Sequence, residues 1–168
     1  MAYFLILAAV LLRLVPHLPN FAPITAMAIF GGAYLNKKAA ILVPLAAMLI
    51  SDYFIGFYNP AVMVSVYLSF LISGILGLWL RRRKNVSNTI YTALLASVQF
   101  YAITNFAVWA FGTMYPPTPA GLLQSYVNAL SFFRNTFLGD LFYVGILFGL
   151  YEIVSYYLNV RAVSRKHV

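Results

Sequence analysis

The amino-acid sequence predicts an all-α fold: a polytopic membrane protein built as a six-transmembrane-helix bundle with short first two helices. Of its 168 residues, 63% are apolar and 8% are charged, whereas a soluble domain carries about 25% charged residues. The apolar residues form continuous stretches near the length of a spanning helix, without the period-two alternation of a membrane β-barrel. Because the connections between them are short, we expect a single transmembrane domain over residues 1–168.

Six apolar stretches are separated by turn-forming or basic residues. In chain order they are Ala2–Val15, Ile24–Leu35, Ala39–Tyr58, Ala61–Leu80, Thr89–Gly112 and Asn135–Leu158. The last four reach the roughly 20 residues that cross a bilayer. The first two are short, and Pro16, Pro19 and Pro23 crowd the connection between them. The sequence therefore predicts two short spans joined by an irregular loop that dips back into the protein.

The distribution of Lys and Arg predicts the orientation. Nine of the eleven basic residues lie in three clusters: Lys37–Lys38, Arg81–Lys84, and Arg161 with Arg165 and Lys166. Six spans place all three clusters on one face, and the positive-inside rule makes that face cytoplasmic. We therefore predict a multi-pass protein of the bacterial cytoplasmic (inner) membrane with both termini in the cytoplasm. The net charge of +8 is then a topology signal, and no nucleic-acid partner is predicted.

The longest connection runs from Thr113 to Phe133. It contains the stiff turn Tyr115–Pro119 and then the weakly amphipathic stretch Ala120–Phe133. A helix along the outer surface and a lid over a pocket would both suit this stretch.

Small residues predict close helix contacts at three places. They are Gly31-Gly32 in the second stretch, Gly74 and Gly77 in the fourth, and Gly145-x-x-x-Gly149 in the last. The last pattern is the small-xxx-small motif of membrane helix pairs. We expect it to pack inside one chain.

Most of the other polar and ionisable side chains fall at one predicted depth, in the outer half of the bundle. They are Arg13, His17, Asn20, Asp52, Asn105, Trp109, Arg134, Asn135 and Asp140. Taken singly, Arg13, Asp52 and Asp140 fit structural intramembrane charges, with Arg13–Asp52 and Arg134–Asp140 as neutralising pairs. Taken together, the set favours a polar pocket that opens outward.

The sequence gives no basis for catalysis or for metal binding. It contains no cysteine, so disulfides, thiolate metal sites and a cysteine nucleophile are excluded. No HExxH, GxSxG or phosphate-binding loop occurs in it. We therefore predict a protein that is not an enzyme and that uses no cofactor and no metal.

The order of motifs from Asn20 to Lys84 resembles a known transporter family. Asn20–Tyr34 reads NFAPITAMAIFGGAY, a basic turn follows, Pro44–Asp52 reads PLAAMLISD, and a Gly-bearing stretch ends in Arg81–Lys84. This order resembles the substrate-binding S components of energy-coupling factor (ECF) vitamin transporters, where a P-x-x-A-x-x-x-x-G second helix and an acidic residue late in the third helix recur. The second half of the chain resembles an uncharacterised group of small bacterial membrane proteins related to that family.

The resemblance implies a substrate-capture subunit for a vitamin or similar micronutrient, which binds its small-molecule substrate from the outer face. The family's pocket is walled by the first loop and helices four to six. On this sequence it corresponds to His17, Asn20, Tyr67, Asn105, Trp109, Tyr115, Arg134 and Asn135.

The implied partners are membrane lipid and an ECF coupling subunit with paired ATPases. The Ala-x-x-x-Ala docking motif of the family's first helix is absent, and only Ala8 and Ala9 offer small residues there. A protein that acts alone therefore stays an alternative. A different function class is a non-catalytic membrane scaffold or interaction protein of the cell envelope, which would tolerate Arg13, Asp52 and Arg134 as structural pairs.

Overall fold

Seven helices follow one another in the part of the chain that the structure, a computed structural model, describes: residues 1–15 and 18–164, with side chains as far as residue 158. They are α1 (Ala2–Leu14), α2 (Ile24–Tyr34), α3 (Lys37–Ile55), α4 (Pro60–Leu80), α5 (Val86–Phe111), α6 (Pro119–Asn128) and α7 (Leu130–Ser164). The all-α prediction is confirmed, and α1 to α5 begin and end within three residues of the predicted stretches.

Polar side chains fix where four of the helices begin. Asn36 caps α3 by accepting a hydrogen bond from the backbone N–H of Ala39 at 2.9 Å. Asn59, Asn85 and Thr118 cap α4, α5 and α6 in the same way. Pro follows two of these caps at the first helical positions, where its missing N–H costs nothing. The breaks between the apolar stretches are thus set by local chemistry.

Four of the helices are long and apolar enough to cross a membrane: α3, α4, α5 and the Leu130–Leu158 part of α7. With 13 and 11 residues, α1 and α2 are about 20 and 17 Å long, short of a hydrocarbon core of about 30 Å. The predicted count of six spanning helices is therefore not matched, although the expected shortness of the first two is confirmed. The four long apolar helices indicate a membrane protein.

The short helix α2 forms the centre of the bundle. Every residue of α2 except Tyr34 is buried, and its most extensive contact is with α4. A Cβ atom at Gly77 would lie 2.2 Å from the carbonyl oxygen of Ile29, and one at Gly32 would lie 2.3 Å from that of Gly74. Only glycine allows the two backbones to approach this closely. The close helix contacts predicted at the glycines of these two stretches are confirmed, and the structure shows that the two stretches contact each other.

The Gly145-x-x-x-Gly149 motif behaves differently from the glycines of α2 and α4. A Cβ atom at either position would meet no heavy atom within 4 Å. The expectation that this motif packs inside the chain is therefore wrong for the described residues. The motif lies on a face of α7 turned away from its neighbours.

One end of the bundle, here called the basic end, gathers the α2–α3 and α4–α5 connections. The guanidinium of Arg81 donates hydrogen bonds to the carbonyl oxygens of Gly32 (2.7 Å) and Leu35, which caps the C-terminal end of α2. Lys84 lies 3.6 Å from the carboxylate of Glu152. The chain therefore places these two basic connections and the later part of α7 at the same end.

The other end, here called the Pro-rich end, holds the connections 18–23, 56–59 and 112–118. The side-chain amide of Asn59 donates to the carbonyl oxygen of Phe111 at 3.1 Å, which ties the start of α4 to the end of α5. From this end, α6 folds back along α5, because the hydroxyl of Tyr101 donates to the carbonyl oxygen of Tyr126 at 2.6 Å. The amphipathic stretch predicted before the last span is thus helical, and α7 begins at Leu130, five residues earlier than predicted.

Candidate functional site

A buried ion pair joins α1 to α3 near the Pro-rich end. The guanidinium of Arg13 lies 2.5 Å from one carboxylate oxygen of Asp52, whose side chain is almost fully buried. The other carboxylate oxygen accepts a hydrogen bond from the hydroxyl of Tyr67 on α4 at 2.7 Å. Arg13 also donates to the hydroxyl of Ser51 and to the carbonyl oxygen of Met48. The pairing of Arg13 with Asp52 considered from the sequence is therefore present, and both charges are neutralised.

A second carboxyl group, that of Asp140, is buried in the first third of α7. It is 1% exposed and accepts a hydrogen bond from the hydroxyl of Ser97 on α5 at 2.6 Å. The side chain of Thr25 on α2 also interacts with it. Arg134 is exposed on the first part of α7 and forms no ion pair with Asp140. Among the described residues, Asp140 has no cationic partner.

A cavity of about 310 Å³ is bordered by Arg13 of the ion pair and by Asp140. Its volume is at the lower end of the 300–1,000 Å³ that is usual for ligand pockets and could hold about ten water molecules. Residues from α1 to α5 and from α7 line it. The polar members are Arg13, Asn20, Thr25, Tyr58, Thr136 and Asp140.

The cavity extends from the Pro-rich end to the middle of the bundle. The exposed residues in its lining, Asn20, Ile55 and Tyr58, all belong to that end, whereas Phe70 and Asp140 are buried deeper. Burial, and to a smaller extent the charge of Asp52, raise the pKa of the Tyr58 hydroxyl and the charge of Arg13 lowers it, with a net value of about 12. Tyr58 is therefore a neutral hydrogen-bonding group at the mouth at physiological pH.

The connection 18–23 covers one side of the mouth and is held on α7. The side-chain amide of Asn135 donates to the carbonyl oxygen of Pro19 at 3.0 Å. The ring of Phe21 packs against Phe142 and Tyr143, and Gly139 leaves room for its backbone. Asn20 has a φ of +62°, a left-handed conformation that Asn tolerates better than most residues. This packing presents Asn20 to the cavity.

Three predicted substrate-binding residues lie instead where α5 meets α6. The indole N–H of Trp109 donates to the carbonyl oxygen of Pro116 at 3.0 Å. Asn105 donates from its side chain to the carbonyl oxygen of Tyr101 at 2.8 Å, and the hydroxyl of Tyr115 lies 3.5 Å from the side-chain amide of Asn128. The contacts of Trp109 and Tyr115 hold the Pro-rich turn, whereas that of Asn105 lies within α5, and none of the three residues lines the cavity.

Of the eight residues predicted to bind substrate, Asn20 lines the cavity, and Asn135 acts on it by holding its loop. Tyr67 belongs to the Arg13–Asp52 network, Arg134 is exposed outside the cavity, and His17 lies outside the described residues.

Two residues that were interpreted from the sequence as structural charges, Arg13 and Asp140, do line the cavity. Sequence reasoning missed Thr25, Thr136 and the aromatic pair Phe70–Phe100. Thr25 lies inside the Asn20–Tyr34 motif, which was the available signal for it.

The fold and the site together define a helical membrane protein with a partly open central cavity that is lined by both polar and apolar side chains. The chain belongs to a family of unknown function (DUF6580), whose family model matches residues 1–163. No curated protein and no solved structure matches the chain.

Proposed function

We propose that the protein is a membrane-embedded capture subunit that binds a small organic solute, such as a vitamin or similar micronutrient, in the central cavity. The observation that carries the proposal is the cavity of about 310 Å³ with the buried carboxyl of Asp140 in its wall. A void and a buried carboxyl both lower the stability of a membrane bundle. Their occurrence together supports the binding of a ligand that fills the void and forms hydrogen bonds with the carboxyl of Asp140.

The orientation of the proposed site follows from the basic end. Lys37 and Lys38 begin α3 at this end, Arg81–Lys84 lie in its α4–α5 connection, and Met1 lies beside Lys84 and Glu152. The positive-inside rule favours a cytoplasmic position for this end. The mouth of the cavity then faces the outside of a bacterial cytoplasmic membrane, where a nutrient would be captured.

The source of energy for uptake forms a separate part of the proposal. The resemblance to S components supports a coupling subunit with ATPases as partners, whereas the exposed face of α1 supports a protein that acts alone. That face carries the bulky residues Tyr3, Phe4, Leu7 and Leu11, where the family uses small residues for docking. Copurification of an ATPase with the tagged chain from native membranes would favour the coupled form.

A matched pair of substitutions on α4 tests whether the cavity is the binding site. Val66 lines the cavity, while Val64, two residues earlier, is 57% exposed on the outside of the bundle. We expect the purified protein to copurify with a small molecule detectable by native mass spectrometry, or to be stabilised thermally by a member of a vitamin panel. Val66→Phe should abolish that signal by filling the cavity, and Val64→Phe should leave it unchanged.

The capture proposal fails if no small molecule is retained or bound by the folded wild type. It also fails if Val66→Phe binds as well as Val64→Phe does. The polar groups would then be structural, and a scaffold of the cell envelope would be the better explanation. Crosslinking to envelope proteins in intact cells would test that second function.

A further inference from the structure

We propose that the ligand of the cavity is a small organic cation with a flat, N–H-bearing head, such as an amidine or an aminated heterocycle, bound by the carboxylate of Asp140. This inference deepens the proposed function and rests on it. It assigns Asp140, Phe70 and Phe100 the role of selecting the chemical class of the solute.

The charge balance of the cavity carries the argument. Arg13 and Asp52 cancel each other through the 2.5 Å ion pair. The remaining acidic group at the cavity wall is Asp140, which in the described part of the chain is met by neutral hydroxyl groups alone, those of Ser97 and Thr25. Burial without a counter-charge disfavours the charged form of a carboxyl group. A ligand of charge +1 at the cavity wall would supply the missing counter-charge, whereas an anion would be repelled by the carboxylate.

The apolar part of the lining favours the same class of ligand. The rings of Phe70 and Phe100 both line the cavity, with centroids 5.3 Å apart and planes inclined by 32°. Aromatic faces attract cations and stack on flat rings. A carboxylate can accept two parallel N–H bonds from an amidine-like head, which adds directional specificity to the charge. The limited cavity volume restricts the ligand to a small molecule.

Three probes of nearly equal size separate charge from shape. Benzamidine carries a cationic head, benzamide a neutral one and benzoate an anionic one on the same ring. Binding of each to the full-length protein in detergent is measured by isothermal titration calorimetry. We expect benzamidine to bind at least about tenfold more tightly than benzamide, the effect of one charge-assisted hydrogen bond, and benzoate not to bind.

Matched substitutions on α7 assign the effect to Asp140. Asp140→Asn keeps the size of the side chain and removes its charge, so the preference for benzamidine should disappear. Glu152→Gln removes the other acidic side chain of the same helix, which lies at the basic end, and should leave the preference unchanged. Because Asp140→Asn could fail to fold, Thr136→Leu serves as a second variant. It narrows the cavity beside an intact Asp140 and should weaken all binding.

The outcomes distinguish this inference from the proposed function. Preference for benzamidine in the wild type and in Glu152→Gln that disappears in Asp140→Asn supports the cationic ligand. If Asp140→Asn does not fold, weaker binding of benzamidine by Thr136→Leu assigns that binding to the cavity beside Asp140. Equal or tighter binding of benzamide or benzoate, abolished by Val66→Phe, overturns the cationic class and leaves solute capture standing. If none of the three probes binds and no molecule copurifies with the protein, both the inference and the proposed function are overturned.

Discussion

At the scale of single residues, the buried charges of the protein have two different environments. Asp52 is held by the Arg13 guanidinium and the Tyr67 hydroxyl, so each of its carboxylate oxygens has a partner from another helix. Asp140 is held by neutral hydroxyl groups and borders a cavity. The first environment is that of a structural ion pair that joins α1, α3 and α4. The second is a carboxyl group that has no cationic partner among the described residues.

Removing one partner of the buried ion pair should be more harmful than removing both. We expect Asp52→Ala to lower the free energy of unfolding by about 3–5 kcal/mol, because it leaves the guanidinium of Arg13 partly buried without its counter-charge. The double change Arg13→Leu with Asp52→Leu should restore part of that loss. Thermal unfolding in detergent, followed by circular dichroism, measures both.

The double-mutant comparison requires Arg13→Leu alone and Asp52→Leu alone as controls. If the two single changes add up to the double change, the residues do not interact energetically. In that case the ion pair seen at 2.5 Å contributes nothing to stability beyond the packing of each side chain.

At the scale of helices, two kinds of seam hold the bundle together. The seam between α2 and α4 depends on Gly32 and Gly77, which have no side chain to keep the two helices apart. The seam between α4 and α5 depends on polar groups, since the amide of Gln99 donates to the carbonyl oxygen of Ser69 at 3.0 Å and to the hydroxyl of Ser73 at 3.2 Å. Small and weakly polar residues are the usual means of association where lipid removes the hydrophobic drive between helices.

Replacing Gly77 and Gly145 by alanine, one at a time, should have different effects on the stability of the protein. Gly77→Ala places a Cβ atom 2.2 Å from a backbone oxygen of α2, so the helices must move apart at a cost of about 1–3 kcal/mol or more. Gly145→Ala meets no neighbour and should leave stability unchanged or raise it by up to about 1 kcal/mol, since Ala favours helices. Unfolding of the two variants under identical detergent conditions gives the comparison.

A destabilised Gly145→Ala variant would contradict this account of the motif. It would mean that Gly145 faces a partner, and analytical ultracentrifugation of the wild type would then identify a second copy. An unaffected Gly77→Ala variant would contradict the close α2–α4 contact itself.

At the scale of the whole molecule, the two ends of the bundle differ in composition, and the cavity opens at one of them. The basic end gathers Lys37, Lys38 and Arg81–Lys84, and the Pro-rich end carries the mouth of the cavity. The helix α6 and the Pro116 turn, clamped by Trp109, thicken the bundle beside α5 at the Pro-rich end. The end with the mouth of the cavity is therefore opposite the basic end.

The polarity predicts the position of each connection relative to the membrane. Reporter fusions at Lys38, Lys84 and Val168 should read cytoplasmic, and fusions after Asn59 and Pro117 should read external, because basic connections stay on the cytoplasmic side. Alkaline phosphatase and green fluorescent protein fusions give opposite signals at each site and serve as mutual controls. A cytoplasmic signal at Pro117 would overturn the orientation and with it the outward mouth of the cavity.

The sequence by itself determined the class of the protein and most helix boundaries. Composition required an apolar solvent, and Asn36, Asn59, Asn85 and Thr118 marked helix starts through contacts within three residues of each cap. The shortness of α1 and α2 was also predicted. These properties depend on interactions between residues close in sequence and on the length of each apolar stretch, both of which can be identified from the sequence.

Only the tertiary structure decided which polar groups meet. Depth along a helix was predictable, and it correctly favoured Arg13 with Asp52. The rotation of each helix about its axis was not predictable from the sequence. The structure therefore shows Asp140 facing Ser97 instead of Arg134, and Trp109 facing the Pro116 turn. Partners 39 and 43 positions apart are brought together by the packing of whole helices around α2. That packing follows from side-chain volumes summed over many contacts, which no local pattern contains.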